Sequence, residues 1–241
     1  MRYKLILSYE GTNYHGYQRQ PKLTTVQSEL EKAIFKMTNQ EIVTFAASRT
    51  DKGVHAIGQV VHFDTDLKIE PLTWVRSLNY LLPDDIKVLK VIKTSNQFHS
   101  RHSAKSKIYH YRLSKKESDI FKQRFESFYP NLDYNLIRQA MLDVIGEHDF
   151  CAFAKEEKNK PTIKIIYSFK IKETKDAYTF VVHGNNFLRY MVRSIIGNLI
   201  AIGQGKKPIN HLRVMLDKKD RKLTAKTAAA KGLILYKIYY K

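Results

Sequence analysis

The stretch "SRTDKGVHAIG" sets Arg49, Asp51, Lys52 and His55 within seven residues, around Gly53 and ahead of Gly58. Asp51 is the residue there with chemistry to offer. A carboxylate at a strand end, with arginine nearby, stays ionised at neutral pH and can act as a nucleophile or a base. On local pattern alone a solvated Asp-x-Gly turn is the simpler reading. His55 and His62 flank the loop, and His99 and His102 stand three apart in "FHSRHSAKSK". No Cys pair, H-E-x-x-H motif or Asp-rich loop completes a ligand set, so they read as part of a basic surface and no metal is expected. "GQGKKP" lacks P-loop spacing and follows a helix, so no nucleotide cofactor is expected.

Arg189 and Arg193 are four apart, which predicts one side of a helix with an Asn N-cap from "GNN". Leu188, Met191, Val192, Ile195 and Leu199 supply that helix's buried face. An arginine in its first turn is partly buried and needs an anionic partner, or else it covers apolar surface with its stem. Tyr109 and Tyr111 point to one face of their strand, where core packing and base stacking are both open to them.

The elements that must hold these groups follow from periodicity. Residues 3–9 alternate as a strand. Thr24 and Gln27 have capping-box spacing for a helix that faces inward through Val26, Leu30, Ala33, Ile34 and Met37. "IVTFAA" and "QVVHFDT" read as strands on either side of the Asp51 turn. Pro71 suits the first position of a second helix carrying Trp74, Val75, Leu78, Leu81 and Leu82, and "DIKVLKVI" closes the unit as a strand. This β-α-β-β-α-β order is the split ferredoxin-like pattern. The second half repeats it. Its strand "KIYHYRLS" precedes a helix through Ile137, Ala140, Met141 and Val144, and "IKIIYSFKIKE" and "AYTFVVHG" follow as strands. A helix over "FLRYMVRSIIGNLIAIG", another from Pro208 and a last strand "LILYKIYY" complete it. Residues 115–130 read as an exposed connection. The expectation is an α+β chain of two domains, residues 1–103 with the Asp51 loop and residues 104–241 with Tyr109 and Arg189.

Composition narrows the partner. In 241 residues, 42 Lys and Arg face 23 Asp and Glu, and the resulting +19 charge attracts polyanions. Basic residues interleave with aromatics in "KSKIYHYRLSKK" and "FLRYMVR", a mixture suited to RNA. A single cysteine, Cys151, excludes an intrachain disulfide, and no apolar run is long enough to span a bilayer. Without a signal-peptide pattern either, a cytoplasmic protein with no membrane partner is expected.

The blocks "YEGTNYHGYQRQ", "TVQSELEKAI", "SRTDKGVHAIGQVVHF", "NYLLPDDIKV", "FHSRHSAKSKIYHY", "GEHDFCAF", "GNNFLRYMVRSIIGNLIAIGQG" and "DRKLTAKTAAAKGLIL" span nearly the whole chain. Together they resemble the tRNA pseudouridine synthase A family. The resemblance implies two RNA-binding-like α/β domains sharing a continuous mixed/antiparallel sheet, with a central active-site cleft. It implies a homodimer that binds tRNA and needs neither metal nor organic cofactor. Uridine in the anticodon stem-loop is isomerised to pseudouridine: the uracil is cut from its ribose at N1, turned, and rejoined through C5. Asp51 corresponds to the family's essential aspartate and Arg189 to the arginine paired with it. Tyr109 corresponds to the tyrosine packed on the target base, Arg49 to the arginine that helps hold the nucleotide out of the stack, and Leu233 to a residue lining the base pocket.

The residue types suit those roles. Flipping a base out of its stack is costly, and an arginine filling the gap offsets part of that cost. A tyrosine can stack on the freed uracil and take the proton from C5. The sequence departs from the family pattern at Ser48 and Lys52, where the family carries Gly and Ala, and at Glu10, Tyr17 and Asn186. Lys52 reads as a contact to an RNA phosphate, because successive side chains of an extended stretch point apart. A paralogue acting on another RNA and a non-catalytic double RNA-binding module are the rivals. The retention of Asp51, Tyr109 and Arg189 together argues against the second. An RNA hydrolase using Asp51 as base is disfavoured by the missing metal site.

Overall fold

In the computed structural model, which describes residues 1–117, 120–156 and 161–240, Tyr3, Leu5, Leu7 and Tyr9 are buried while the residues between them are partly exposed. That is the burial expected of a strand in a sheet covered on one face. In chain order the elements are β1 (Arg2–Tyr9), α1 (Val26–Thr38), β2 (Phe45–Ala46), β3 (His55–Asp64), α2 (Pro71–Leu81) and β4 (Ile86–Thr94). There follow β5 (Ser106–Ser114), β6 (Ser127–Phe128), α3 (Tyr134–Ala140), β7 (Gly146–Asp149), β8 (Ile163–Glu173), β9 (Ala177–Gly184), α4 (Met191–Gly203), α5 (His211–Lys218) and β10 (Leu233–Tyr239). The fold is mixed α+β, and it divides into two compact units, Met1–Lys105 with Ile234–Lys241, and Ser106–Leu233. The last strand, expected with the second domain, instead pairs in parallel with β3 through Ile234↔His55 and Leu235↔Ala56. Alternation identifies a strand without saying which neighbour its backbone will meet.

In the first unit β1 lies between β4 and β3, and β2 pairs with β3, all antiparallel, as the split pattern requires. Val26, Leu30, Ala33 and Ile34 of α1 and Trp74 and Leu78 of α2 are buried. Tyr3, Phe63 and Trp74 meet with ring centroids 5.0 to 5.6 Å apart. Pro71 does open α2. The capping box at α1 is formed one residue later than expected, by Thr25 and Ser28. The "IVTFAA" strand shrinks to Phe45–Ala46 because side chains of α1 take its backbone. Glu31 accepts from the Thr44 amide at 2.9 Å, and Gln27 donates to the Thr44 carbonyl at 3.0 Å.

In the second unit β9 lies between β5 and β8, β7 extends β8, and all three pairings are antiparallel. β6 falls inside the expected 115–130 connection and pairs in parallel with β5, with Glu126 and Ser127 buried; residues 118 and 119 of that connection lie outside the described residues. The helix expected through Val144 ends as α3 at Ala140 and continues as a 3-10 turn, Met141–Val144. α4 is buried nearly all round. Across it runs the segment before β10, held by a satisfied polar cluster: Asn198 Nδ2 donates to Thr224 Oγ1 at 2.9 Å, and its Oδ1 accepts from the Ala225 amide at 2.9 Å. The crossing needs Gly197, where a Cβ would stand 2.2 Å from the Lys226 carbonyl oxygen.

Candidate active site

Asp51 begins a β-turn closed by the Val54 amide on the Asp51 carbonyl at 3.1 Å. Gly53 occupies its third position at φ +76°, a conformation glycine reaches without strain. The turn is fastened to the loop after β1. The Tyr17 amide donates to the Thr50 carbonyl at 3.1 Å, the Gly53 amide to the Tyr14 carbonyl at 3.3 Å, and the Tyr9 and Thr50 hydroxyls lie 2.9 Å apart. Behind it the fully buried Gln59 donates to the Ser48 carbonyl at 2.6 Å and accepts from the Ser48 amide at 3.3 Å. Asp51 is half-buried, whereas Arg49 and Lys52 are exposed. The arrangement is a carboxylate at the start of a turn that is bonded to the loop after β1, with two cations on the same loop.

Lys52 does not stand out alone into solvent. Its Nζ lies 3.1 Å from His15 Nε2.

Three other histidines of this unit, His55, His62 and His99, fasten backbone. His55 Nδ1 accepts from the Gly11 amide at 2.9 Å, and His99 Nδ1 from the Arg101 amide at 3.1 Å. Among the described residues, no group of three His, Cys, Asp or Glu is placed to hold a metal ion. His62 is 2% exposed, stacked on Phe45 with centroids 5.1 Å apart, and its Nδ1 accepts from the Ser100 amide at 3.2 Å. Burial, with Arg2 and His99 nearby, pushes the His62 imidazole down to about 4. A histidine lowered in the folded state is protonated first in the unfolded chain. Its contribution is therefore complete above the unfolded value of about 6.5 and is lost as pH falls from there toward 4. Urea unfolding at about pH 7.5 and about pH 5 should show roughly 2 kcal/mol of acid destabilisation from this group, absent in His62→Gln. Identical acid sensitivity in the two proteins would mean that His62 is not held neutral.

In the second unit Tyr109, on β5 opposite Val182, is 6% exposed and meets the edge of Phe187 at 5.1 Å and 82°. Tyr111 faces the same way but is structural. Its hydroxyl donates to the Ala229 carbonyl at 3.0 Å, and its buried phenol is pushed well above the usual range by desolvation. Gly232 packs on its ring, where a Cβ would come within 2.7 Å, so Tyr111 sets the path of the chain into Leu233, itself buried.

Arg189 is not on a helix. α4 begins at Met191, after Tyr190 at φ 68°. The asparagines expected to cap it turn the chain off β9 instead: Asn185 Oδ1 accepts from the Ile165 amide at 3.0 Å, and Asn186 Oδ1 from Phe187 at 2.9 Å and from Lys107 Nζ at 2.8 Å. Arg189 and Arg193 therefore do not share a helical side. Arg189 is exposed and its carbonyl accepts from the Lys155 amide at 3.1 Å.

A family model described as tRNA pseudouridine synthase matches residues 5–103 and 140–241. A tRNA pseudouridine synthase A of Phytoplasma mali (strain AT) is 48% identical over 99% of this chain and 98% of its own. One from Bacillus pumilus (strain SAFR-032) is 42% identical over 100% of this chain and 99% of its own. The chain belongs to the tRNA pseudouridine synthase family. It is an isomerase. Among solved structures, the archaeal box H/ACA sRNP Nop10-Cbf5 complex covers 95% of this chain and 58% of its own at 11% identity and a TM-score of 0.37, too slight a likeness to bear on the site.

Of the residues singled out in the sequence, Arg49, Asp51 and Lys52 fall in the first matched segment, Arg189 and Leu233 in the second, and Tyr109 lies between them. Sequence patterns did not single out Gln59, Gly16, His15, Phe187 or Tyr190 of this synthase. Phe187 and Tyr190 left a trace within the basic and aromatic stretch "FLRYMVR", and Gln59 as an amide between apolar residues of β3.

Proposed function

We propose that this isomerase converts uridine to pseudouridine in the anticodon stem-loop of tRNA. In this reading Asp51, Tyr109 and Arg189 act on the target nucleotide, with Arg49, Lys52 and Leu233 contacting the substrate. The observation that carries it is the Asp51 turn. A carboxylate that must meet a flipped nucleotide has to be held in place beforehand, and the bonds from Tyr9, Tyr14 and Tyr17 to this loop do so. Tyr109 offers a ring to the freed uracil and a hydroxyl for the proton at C5, and Arg49 fills the place that the base leaves. The family resemblance also supports a homodimer working in the cytoplasm, and sedimentation at twice the monomer mass is the result expected. No helix among the described residues is long and apolar enough to cross a membrane.

The test is to incubate the purified protein with unmodified tRNA transcript and map pseudouridine chemically. Modification within the anticodon stem-loop is expected. Modification confined to another region would assign a paralogue's target, and binding without any modification would leave an RNA-binding module.

Lys52 is the point at which this member's choice of RNA is most exposed. If it leaves His15 for a phosphate, Lys52→Ala should weaken tRNA binding and make the slope of log K against log[salt] shallower by about one or less. The single-turnover rate at saturating tRNA should hardly change. An unchanged salt slope with a shifted pH–rate profile would instead make Lys52 a modulator of Asp51.

A further inference from the structure

Gln59 places a fully buried carboxamide in β3, a strand that also buries Ala56, Val60, Val61 and Phe63. A buried amide must find partners, and an apolar side chain of that size would be simpler to bury. Its partners lie on the segment that leads to Asp51. β2 runs beside β3 through Phe45↔His62 and Ala46↔Val61, and the Ala47 amide still donates to the Val60 carbonyl at 2.8 Å. Toward its start β3 pairs with β10, through His55 and Ala56. Gly58 lies so close to β10 that a Cβ there would stand 2.4 Å from the Tyr236 carbonyl oxygen. Ser48 is therefore where the chain leaves the edge of β3, and the Gln59 side chain meets it there. Nε2 donates to the Ser48 carbonyl at 2.6 Å, and Oε1 accepts from the amides of Ser48 at 3.3 Å and Val60 at 3.2 Å. Nε2 also donates to the Tyr9 hydroxyl at 3.4 Å, which in turn lies 2.9 Å from Thr50 Oγ1. Ser48 and Thr50 flank Arg49, and Thr50 directly precedes Asp51.

We propose that Gln59 is a positioning residue of this synthase: its buried carboxamide fixes where the chain leaves β3, and so where the Asp51 carboxylate stands when the target nucleotide arrives. This rests on the reading of Asp51 as the working carboxylate. The two ends of the carboxamide act together. Its nitrogen only donates and its oxygen only accepts, so a residue that presents both an amide and a carbonyl to it is held in one place along the strand. An apolar side chain of the same length would fill the space without choosing that place.

The experiment measures single-turnover rate at saturating tRNA, tRNA affinity and Tm for Gln59→Met, Gln59→Glu, Asp51→Asn and Leu78→Val, each at a temperature at which it is folded. Methionine keeps the length and loses the bonds. Gln59→Met should slow turnover roughly 10- to 100-fold while tRNA affinity stays near wild type. Leu78→Val trims a buried side chain of α2 in the same unit, and should lower Tm without slowing turnover. Gln59→Glu tests the donor. A carboxylate cannot donate to the Ser48 carbonyl, whereas a carboxylic acid can, and burial favours the acid. Its rate relative to wild type should therefore rise roughly tenfold or more as pH falls from about 8.5 to about 6, while that of Gln59→Met stays flat. Wild-type turnover in Gln59→Met, an equal slowing in Leu78→Val for the same fall in Tm, or a Gln59→Glu ratio that does not move with pH would each overturn the proposal. Any of these beside an inactive Asp51→Asn would remove the positioning role alone. Normal turnover in Asp51→Asn would remove the reading of Asp51 and this proposal together.

Discussion

Asp51→Asn is expected to abolish pseudouridine formation, by roughly 10⁴-fold or more in single turnover. Tm and tRNA affinity should remain near wild type. The two outcomes separate because the turn is closed, and tied to Tyr14 and Tyr17, through backbone bonds. Val54 bonds the Asp51 carbonyl, and Thr50 and Gly53 tie the loop to Tyr17 and Tyr14, so none of these contacts uses the carboxylate. Asparagine is at home in such a turn and matches aspartate in shape. It removes the negative charge, and with it the nucleophile or base. Turnover in the purified variant above that of contaminating host enzyme would end the assignment of Asp51. Loss of Tm or of tRNA binding alongside turnover would show that the side chain supports the loop as well.

Gly16→Ala should strike the same site from a residue distant in sequence. Gly16 stands at φ +92°, and a Cβ there would lie 2.6 Å from the Thr50 carbonyl oxygen and 3.3 Å from the Asp51 carbonyl carbon. The obstacle is backbone on the Asp51 turn itself, which cannot rotate aside as a side chain would. Overpacking together with the unfavourable φ should cost about 2–4 kcal/mol of stability. A displacement of the turn on the order of 1 Å should slow turnover roughly 100-fold. Gly205→Ala is the control, since Gly205 also has a positive φ, +69°, but nothing lies within 4 Å of its would-be Cβ. It should cost only about 1 kcal/mol and leave turnover alone. Urea unfolding and single-turnover assays on the pair decide the matter. Equal stability losses would mean that φ, and not the approach to Thr50, sets the effect.

Read by itself, the sequence determined what depends on each residue's own backbone and its near neighbours. Period-two burial in β1 and the inward faces of α1 and α2 were legible, as was Pro71 at the start of α2, because side-chain direction follows from local geometry. The candidate site residues were legible as types: a carboxylate among arginines, and tyrosines alternating on a basic strand. What the tertiary structure alone decided were contests between alternatives of similar local merit. The apolar run from Phe187 reads as helix throughout, yet its first residues are taken by Asn185 and Asn186 and by the left-handed Tyr190, so Arg189 stands before the helix. "IVTFAA" reads as a strand, but Glu31 and Gln27 claim the backbone of Thr44. The pairing of β10 with β3, and the clasp of Gly16 and Gln59 on the Asp51 turn, join residues far apart in the chain. Such contacts depend on which surfaces remain uncovered once the local elements have formed, and no local pattern records that.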